Sequence, residues 1–211
     1  MKIALIGASG NIGSRILDEA LRRGHIVTGI IRNTSRMELH SSIIEIVSSD
    51  LFNTDEVSRH FKGKDVIISA FSPGNKNPHA LIEATKSLLT AAKNAGVKRV
   101  IAVGRAGCLE IAPGVRLMDT PAFPDSQKPI AKAHNLALQI YREEKDLDWT
   151  NISPPAEIKP GARTGNYRIS ENTIVHDSNG NSSISMEDFA VAVMDEVENP
   201  SHIKKRFTVG Y

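Results

Sequence analysis

Short apolar runs alternate with amphipathic stretches along the first two-thirds of the chain. Residues 3–6, 26–31, 43–47, 66–69, 100–103 and 149–152 are brief, rich in β-branched side chains and almost continuously apolar. Such runs predict parallel strands covered on both faces, because half-exposed antiparallel strands would alternate apolar with polar positions. Between them, residues 11–23, 54–61, 78–94 and 128–145 carry apolar side chains at three- and four-residue spacing, the mark of amphipathic helices. In the first helix Ile12, Ile16, Leu17, Ala20 and Leu21 share one face. Gly24 then supplies a left-handed cap, and Gly96 repeats the device.

Strands alternating with helices across short links predict an α/β fold: a doubly wound parallel sheet with right-handed crossovers, whose ligands bind beyond the carboxyl ends of the strands. After residue 152 the pattern changes. A Pro-rich link at 154–160, a hairpin-like pair around Asn179-Gly180, an amphipathic helix at 186–197 with its acids outside, and a strand at 207–209 read as a small C-terminal cap on the substrate side. The chain is read as a single domain over 1–211, with a core at 1–153 and the cap at 154–211. The loop 104–127 is long for a compact domain and begins where a strand delivers it to the ligand edge. Trp149 is expected in the core beneath the sixth strand.

Composition narrows the function. The chain has 211 residues, 26 basic and 24 acidic, for a net charge of +2. That balance gives no whole-molecule attraction to nucleic acid or anionic lipid, and Lys204-Lys205-Arg206 reads as a solvated turn. One cysteine, Cys108, excludes an internal disulfide and suits a reducing, cytoplasmic setting. Four apolar residues after Met1-Lys2 fall short of a signal-peptide core, and no later run approaches the ~20 residues of a membrane helix. The seven histidines include no metal-ligand spacing, so no metal is expected.

The chemistry concentrates in Gly7-Ala8-Ser9-Gly10-Asn11-Ile12-Gly13, which joins the first strand to the first helix. The first glycine permits the turn, the second admits a diphosphate to the backbone, and the third lets helix meet strand. The helix start then offers amides and a positive dipole to the phosphates. Ser9 and Asn11 add hydroxyl and amide groups. At the end of the second strand, where a carboxylate would accept the ribose hydroxyl of NAD, stands Arg32, with Arg36 four residues on. A guanidinium there fits the 2′-phosphate of NADP, so NADP(H) is the expected cofactor and NAD(H) the alternative.

The Gly-x-x-Gly-x-x-Gly turn, Ser69-Ala70-Phe71, Val103-Gly104, Leu147-Asp148-Trp149-Thr150 and Ser153-Pro154-Pro155 together resemble the atypical short-chain dehydrogenase/reductases of the NAD(P)H-binding, flavin reductase-like group. That group includes biliverdin reductase B, the NmrA-like proteins and bacterial proteins designated NADH-flavin reductases. The likeness to the bacterial members runs the whole length, through Ala112-Pro113-Gly114, residues 184–188 and residues 207–211. It implies a Rossmann-type sheet and cofactor contacts at Gly7, Ser9, Gly10, Asn11, Ile12, Gly13, Arg32, Asp50, Leu51, Ala70, Phe71, Val103 and Gly104. Asp50 and Leu51 would lie by the adenine, and the nicotinamide between the fourth and fifth strand ends near Phe71, Val103, Ser153 and Pro154.

Departures from the group matter as much. Members acting on alcohols use a Tyr-x-x-x-Lys pair for proton exchange. Here the spacing recurs at Tyr141 and Lys145, late in its helix and away from the crevice. Biliverdin reductase B-like members carry serine where this chain has Arg105 and histidine where it has Ala156, so their substrate chemistry does not transfer. Arg105, Leu109 and His134 are candidates for the outer substrate wall, with Arg105 either an anchor for substrate or phosphate or a plain surface arginine. Cys108 lacks an identifiable histidine partner for nucleophilic work. Hydride transfer to an oxidised flavin such as FMN, or to a quinone, needs contact geometry and can take its proton from solvent. The expectation is therefore an NADPH-dependent flavin or quinone reductase, monomeric or homodimeric. The alternative is a non-catalytic NmrA-like redox sensor acting through a protein partner.

Overall fold

A computed structural model describes residues 1–33, 44–74 and 76–211. In chain order the main elements are β1 (Lys2–Ile6), α1 (Asn11–Arg22), β2 (Ile26–Ile31), β3 (Ile44–Ser48), α2 (Thr54–Phe61), β4 (Val66–Ser69), α3 (Ala80–Ala95) and β5 (Arg99–Val103). The small pair β6 (Glu110–Ala112) and β7 (Val115–Arg116) precedes α4 (Lys128–Glu143) and β8 (Asp148–Ser153). The chain continues through β9 (Glu157–Lys159), β10 (Arg168–Ser170), β11 (Ser183–Ser185), α5 (Met186–Glu198) and β12 (Lys205–Gly210). The third predicted strand begins at Ile43, outside the described residues, as does Arg36.

The main sheet runs β10-β12-β8-β5-β4-β1-β2-β3, and every pair is parallel except β10 with β12. Strand side chains alternate between two cores, as a period of two requires. Ile3 and Leu5 face the layer holding Ile16, Leu17, Phe189 and Val193 of α1 and α5. Ala4 and Ile6 face the layer holding Val57, Phe61, Leu88 and Leu138 of α2, α3 and α4. Both faces are thus covered, which explains why the strands read as continuous apolar runs. Gly24 and Gly96 adopt the left-handed conformation, at φ 78° and 74°. Trp149 is buried in the second layer against Tyr141, with ring centroids 5.9 Å apart.

The region after Ser153 does more than cap. Helix α5 packs on α1 in the first core layer, and β12 adds a parallel strand beside β8. The expected hairpin is a turn alone: Asp177 and Asn181 exchange turn bonds, while β11 pairs in parallel with β9. The acids of α5 are not all outside. Asp188 is 0% exposed, and Glu196, also buried, pairs with Arg99 at 2.7 Å. Arg206 likewise leaves the solvated turn: it is 7% exposed, and its guanidinium donates to the Cys108 carbonyl and the Asn172 side chain. Among the described residues no helix is long and apolar enough to cross a membrane. None of their His, Cys, Asp and Glu side chains cluster as a metal site would require.

Candidate functional site

From β1 the chain winds outward through β2 and β3, then returns to the other side of β1 for β4 and β5. The reversal opens a crevice at the carboxyl edge between β1 and β4, where a doubly wound sheet places its ligand. A cleft of about 390 Å³ lies there. Its lining brings together Gly7, Ser9, Gly10, Asn11, Ile12, Gly13, Arg32, Asp50, Leu51, Ala70 and Phe71 of the sequence candidates. Ile6, Ile30, Ile31, Ser49 and Ser72 complete it and were not singled out by motif reasoning. Val103, Gly104, Ser153 and Pro154 lie outside this lining, toward the next strand ends.

The turn is built so that backbone lines the cleft. Gly7 sits at φ 77°, and a β-carbon there would meet the Ala70 carbonyl oxygen at 2.9 Å. The Gly10 amide donates to the Gly7 carbonyl at 2.9 Å, and the first helical bond of α1 runs from the Ser14 amide to the Gly10 carbonyl. The amides of Asn11, Ile12 and Gly13 therefore have no intrahelical acceptor. No side chain caps them and the first turn holds no acid, whereas Asn53 caps α2 and Ser185 caps α5. Uncapped amides and the positive end of the helix dipole face the cleft. At the β3 end of the lining, among the described residues, the Ser49 hydroxyl is buried without a hydrogen-bond partner. The free amides of the α1 start fit a diphosphate.

Arg32 is exposed at the rim, and among the described residues its guanidinium meets no carboxylate. Asp50 is exposed too, its carboxylate accepting from the Phe52 amide at 3.1 Å. Phe71 closes the inner end of the cleft, edge-on to Phe52 with ring centroids 6.1 Å apart.

Behind Phe71 is a second, internal void of about 20 Å³, also lined by Leu51, Val103, His134, Tyr141 and Asn151. His134 is 8% exposed and faces this void, not an outer wall as expected. Burial, with the neighbouring Arg105 charge, pushes its pKa down to about 3, so its ring is neutral at ordinary pH. Tyr141 is buried as well, which pushes its phenol above the ordinary range. Leu109 must be withdrawn as a wall residue. It is 0% exposed, because the 3-10 turn Ala106–Cys108 folds it inward and its amide donates to the Ala106 carbonyl. Cys108 is buried, and desolvation pushes its thiol up to about 11, so it is inert as a nucleophile.

A third cleft, of about 350 Å³, opens where β5 and β8 end. Arg105, Ala106 and Gly107 form one side, Pro154, Pro155, Ala156 and Ile158 another, and Leu117, Phe123, Pro124 and Gln127 the outer rim. Arg105 is half-buried and donates to the Gln127 side-chain oxygen. Gly104 sits between the β5 and β8 ends, so close that a β-carbon would lie 2.4 Å from the Asn151 side-chain oxygen and 2.5 Å from the Ser153 hydroxyl. The sequence signalled this cleft only through the position of its loop after a strand. That Phe123 and Gln127 fold back onto Arg105 depends on the loop's own turns.

With this geometry, comparison with known proteins is informative. The uncharacterized protein YwnB of Bacillus subtilis is 38% identical over 99% of this chain and 98% of its own length. A solved structure from Bacteroides thetaiotaomicron, named as a candidate epimerase, is 42% identical with a TM-score of 0.93, covering 100% of this chain and 96% of that one. Another from Streptococcus pneumoniae, named as a candidate NADH-flavin reductase, is 34% identical with a TM-score of 0.87 over 100% and 99%. The family model described as NAD(P)H-binding matches residues 7–200, a span that runs from the first glycine of the turn to just past the end of α5. The chain therefore belongs to the NAD(P)H-binding family, with the Rossmann-type sheet of the atypical short-chain dehydrogenase/reductases.

Proposed function

We propose that this protein is an oxidoreductase that uses NADPH to reduce a flavin or quinone-like acceptor. The observation that carries the reading is the crevice at the β1–β4 reversal, where the uncapped α1 amides suit a diphosphate. Gly7, Gly10 and Gly13 hold the backbone close, while Arg32 stands where a 2′-phosphate would be paired. Asp50 and Leu51 would flank the adenine, and Phe71 the route to the nicotinamide.

A nicotinamide bound there supplies hydride, two electrons with one proton, to an acceptor placed against it. Val103, Gly104, Ser153 and Pro154 lie at the adjoining strand ends, between the dinucleotide crevice and the Arg105 cleft. His134, Tyr141 and Cys108 are poorly suited as proton donors: all three are buried, and burial makes Tyr141 and Cys108 weaker acids still. Flavins and quinones accept hydride without a positioned acid, taking the remaining proton from solvent. Reversible oxidation of an alcohol, by contrast, asks for a base within reach of the alcohol's hydroxyl proton.

Stopped-flow mixing of NADPH with FMN, riboflavin and quinones tests the proposal. Decay of the NADPH absorbance faster than in the absence of protein is expected. Tight NADPH binding with no acceptor reduced would overturn the oxidoreductase reading and leave a nucleotide-binding module.

A further inference from the structure

The cleft at the ends of β5 and β8 has an unusual charge balance. Arg105 is half-buried among Ala106, Gly107, Phe123, Pro124 and Pro154, and among the described residues its one side-chain hydrogen bond goes to the neutral amide of Gln127. The acids of the same loop are engaged elsewhere. Glu110 accepts from the Gly114 amide at 3.4 Å, Asp119 accepts from Arg116 at 2.7 Å, and Asp125 pairs with Lys128 at 2.7 Å. Among the described residues no carboxylate pairs with Arg105.

A guanidinium taken half out of water loses hydration that one amide oxygen only partly replaces, since it carries five donors. A bound oxyanion would restore the balance, and the planar fork suits carboxylate or phosphate in two-pronged fashion. The remaining walls favour a flat apolar body. Phe123 is half-buried and packs on Gly107, where a β-carbon would come within 3.1 Å of its ring, and the prolines stand opposite.

We propose that Arg105 binds an anionic substituent, phosphate or carboxylate, on an otherwise flat and apolar hydride acceptor, and so selects charged acceptors over neutral ones. The inference rests on the oxidoreductase reading for the word acceptor, but not for the anion site itself. Its position suits the role: Arg105 follows β5, one strand beyond β4 and the Phe71 wall of the dinucleotide crevice. Neighbouring strands are about 4.8 Å apart, so a ring of two or three fused cycles reaches from one cleft to the other.

Equilibrium binding in the presence of NADP⁺, read without turnover by flavin fluorescence and, for the quinones, by titration calorimetry, tests this with two matched pairs. FMN against riboflavin isolates a phosphate, and a naphthoquinone carboxylate against its methyl ester isolates a carboxylate. The charged member of at least one pair should bind at least about tenfold more tightly, and the pair that discriminates identifies the anion. In Arg105→Gln the ratio should fall to about one while the neutral member keeps its affinity, and Arg105→Lys should retain part of the preference. Affinities within twofold in both pairs, no binding of any probe, or an unchanged ratio in Arg105→Gln overturns the proposal. Oxidation of NADPH is scored separately: selective binding without turnover sinks the oxidoreductase reading and leaves the anion site, and turnover without selectivity does the reverse.

Discussion

A β-carbon placed on Gly13 would stand 2.0 Å from the carbonyl oxygen of Gly7. Both partners are backbone, and no rotamer change relieves the overlap, so helix α1 rests on the turn that precedes it because residue 13 has no side chain. Gly13→Ala is expected to destabilise the fold by about 1–3 kcal/mol or more, as overpacking does. At Gly10 the same β-carbon meets the Gly7 oxygen at 3.2 Å, an overlap that a shift of a few tenths of an ångström would relieve. Gly10→Ala should therefore leave the urea midpoint nearly unchanged yet weaken NADPH by at least about tenfold, because the methyl group occupies the diphosphate's approach. Equal loss of stability in the two variants would refute this division of roles.

Arg32→Asp places a negative charge at the rim of the crevice. NADPH affinity should fall by more than about tenfold while NADH affinity stays within about twofold, because only the phosphorylated cofactor has an anion to repel. Titration calorimetry with both nucleotides checks it, and equal losses would remove Arg32 from the recognition of phosphate.

His134 predicts an acid-sensitive fold. Its pKa falls from about 6.5 in the unfolded chain to about 3 in the folded one, through burial first and the Arg105 charge second. Between those values the unfolded state binds the extra proton, so stability is full above pH 6.5 and declines as pH falls toward 3. The slope from this residue approaches 1.4 kcal/mol per pH unit in the middle of that window. Urea unfolding at pH 7, 6, 5 and 4 should show it, and His134→Gln should flatten it.

Asp188 adds to the same acid sensitivity at lower pH. Burial opposes its charge, but hydrogen bonds from the Thr164 hydroxyl and amide, the Gly165 amide and the Tyr211 hydroxyl outweigh it and hold the carboxyl below its ordinary range. Its contribution is complete above the unfolded carboxylate range, near pH 4, and is lost as pH falls below that toward the folded value. Asp188→Asn should cost about 1–3 kcal/mol at pH 7, since an amide cannot accept all four donors. The deficit relative to the parent protein should shrink in unfolding experiments near pH 3.

Much of the architecture was legible because local pattern and global fold agree. Strands that read as unbroken apolar runs are those covered on both faces, and the glycine turn identified the crevice because its function depends on backbone alone. The C-terminal third was less so. The isolated sequence around Asp188 and Glu196 shows acids on a helix, and nothing local reveals that Thr164, Tyr211 and Arg99 will arrive to satisfy them. Arg206 misled for the same reason, since its acceptors are Asn172 and the carbonyl of Cys108, 34 and 98 residues away. Leu109 and His134 were placed on a wall from their position in a loop and on a helix. Whether such residues turn inward depends on a single 3-10 turn and on the void behind Phe71.

The carboxyl edge of the sheet divides its labour by strand. The glycine turn, Arg32 and Asp50 belong to β1, β2 and β3, while Arg105, Phe123 and Pro154 hang from the loops beyond β5 and β8. Mutation in the second group can reshape one pocket without disturbing the other. On the reading proposed above, a lineage built on this scaffold is free to recast the second cleft while keeping the first, and relatives of closely similar shape carry names as different as candidate epimerase and candidate NADH-flavin reductase.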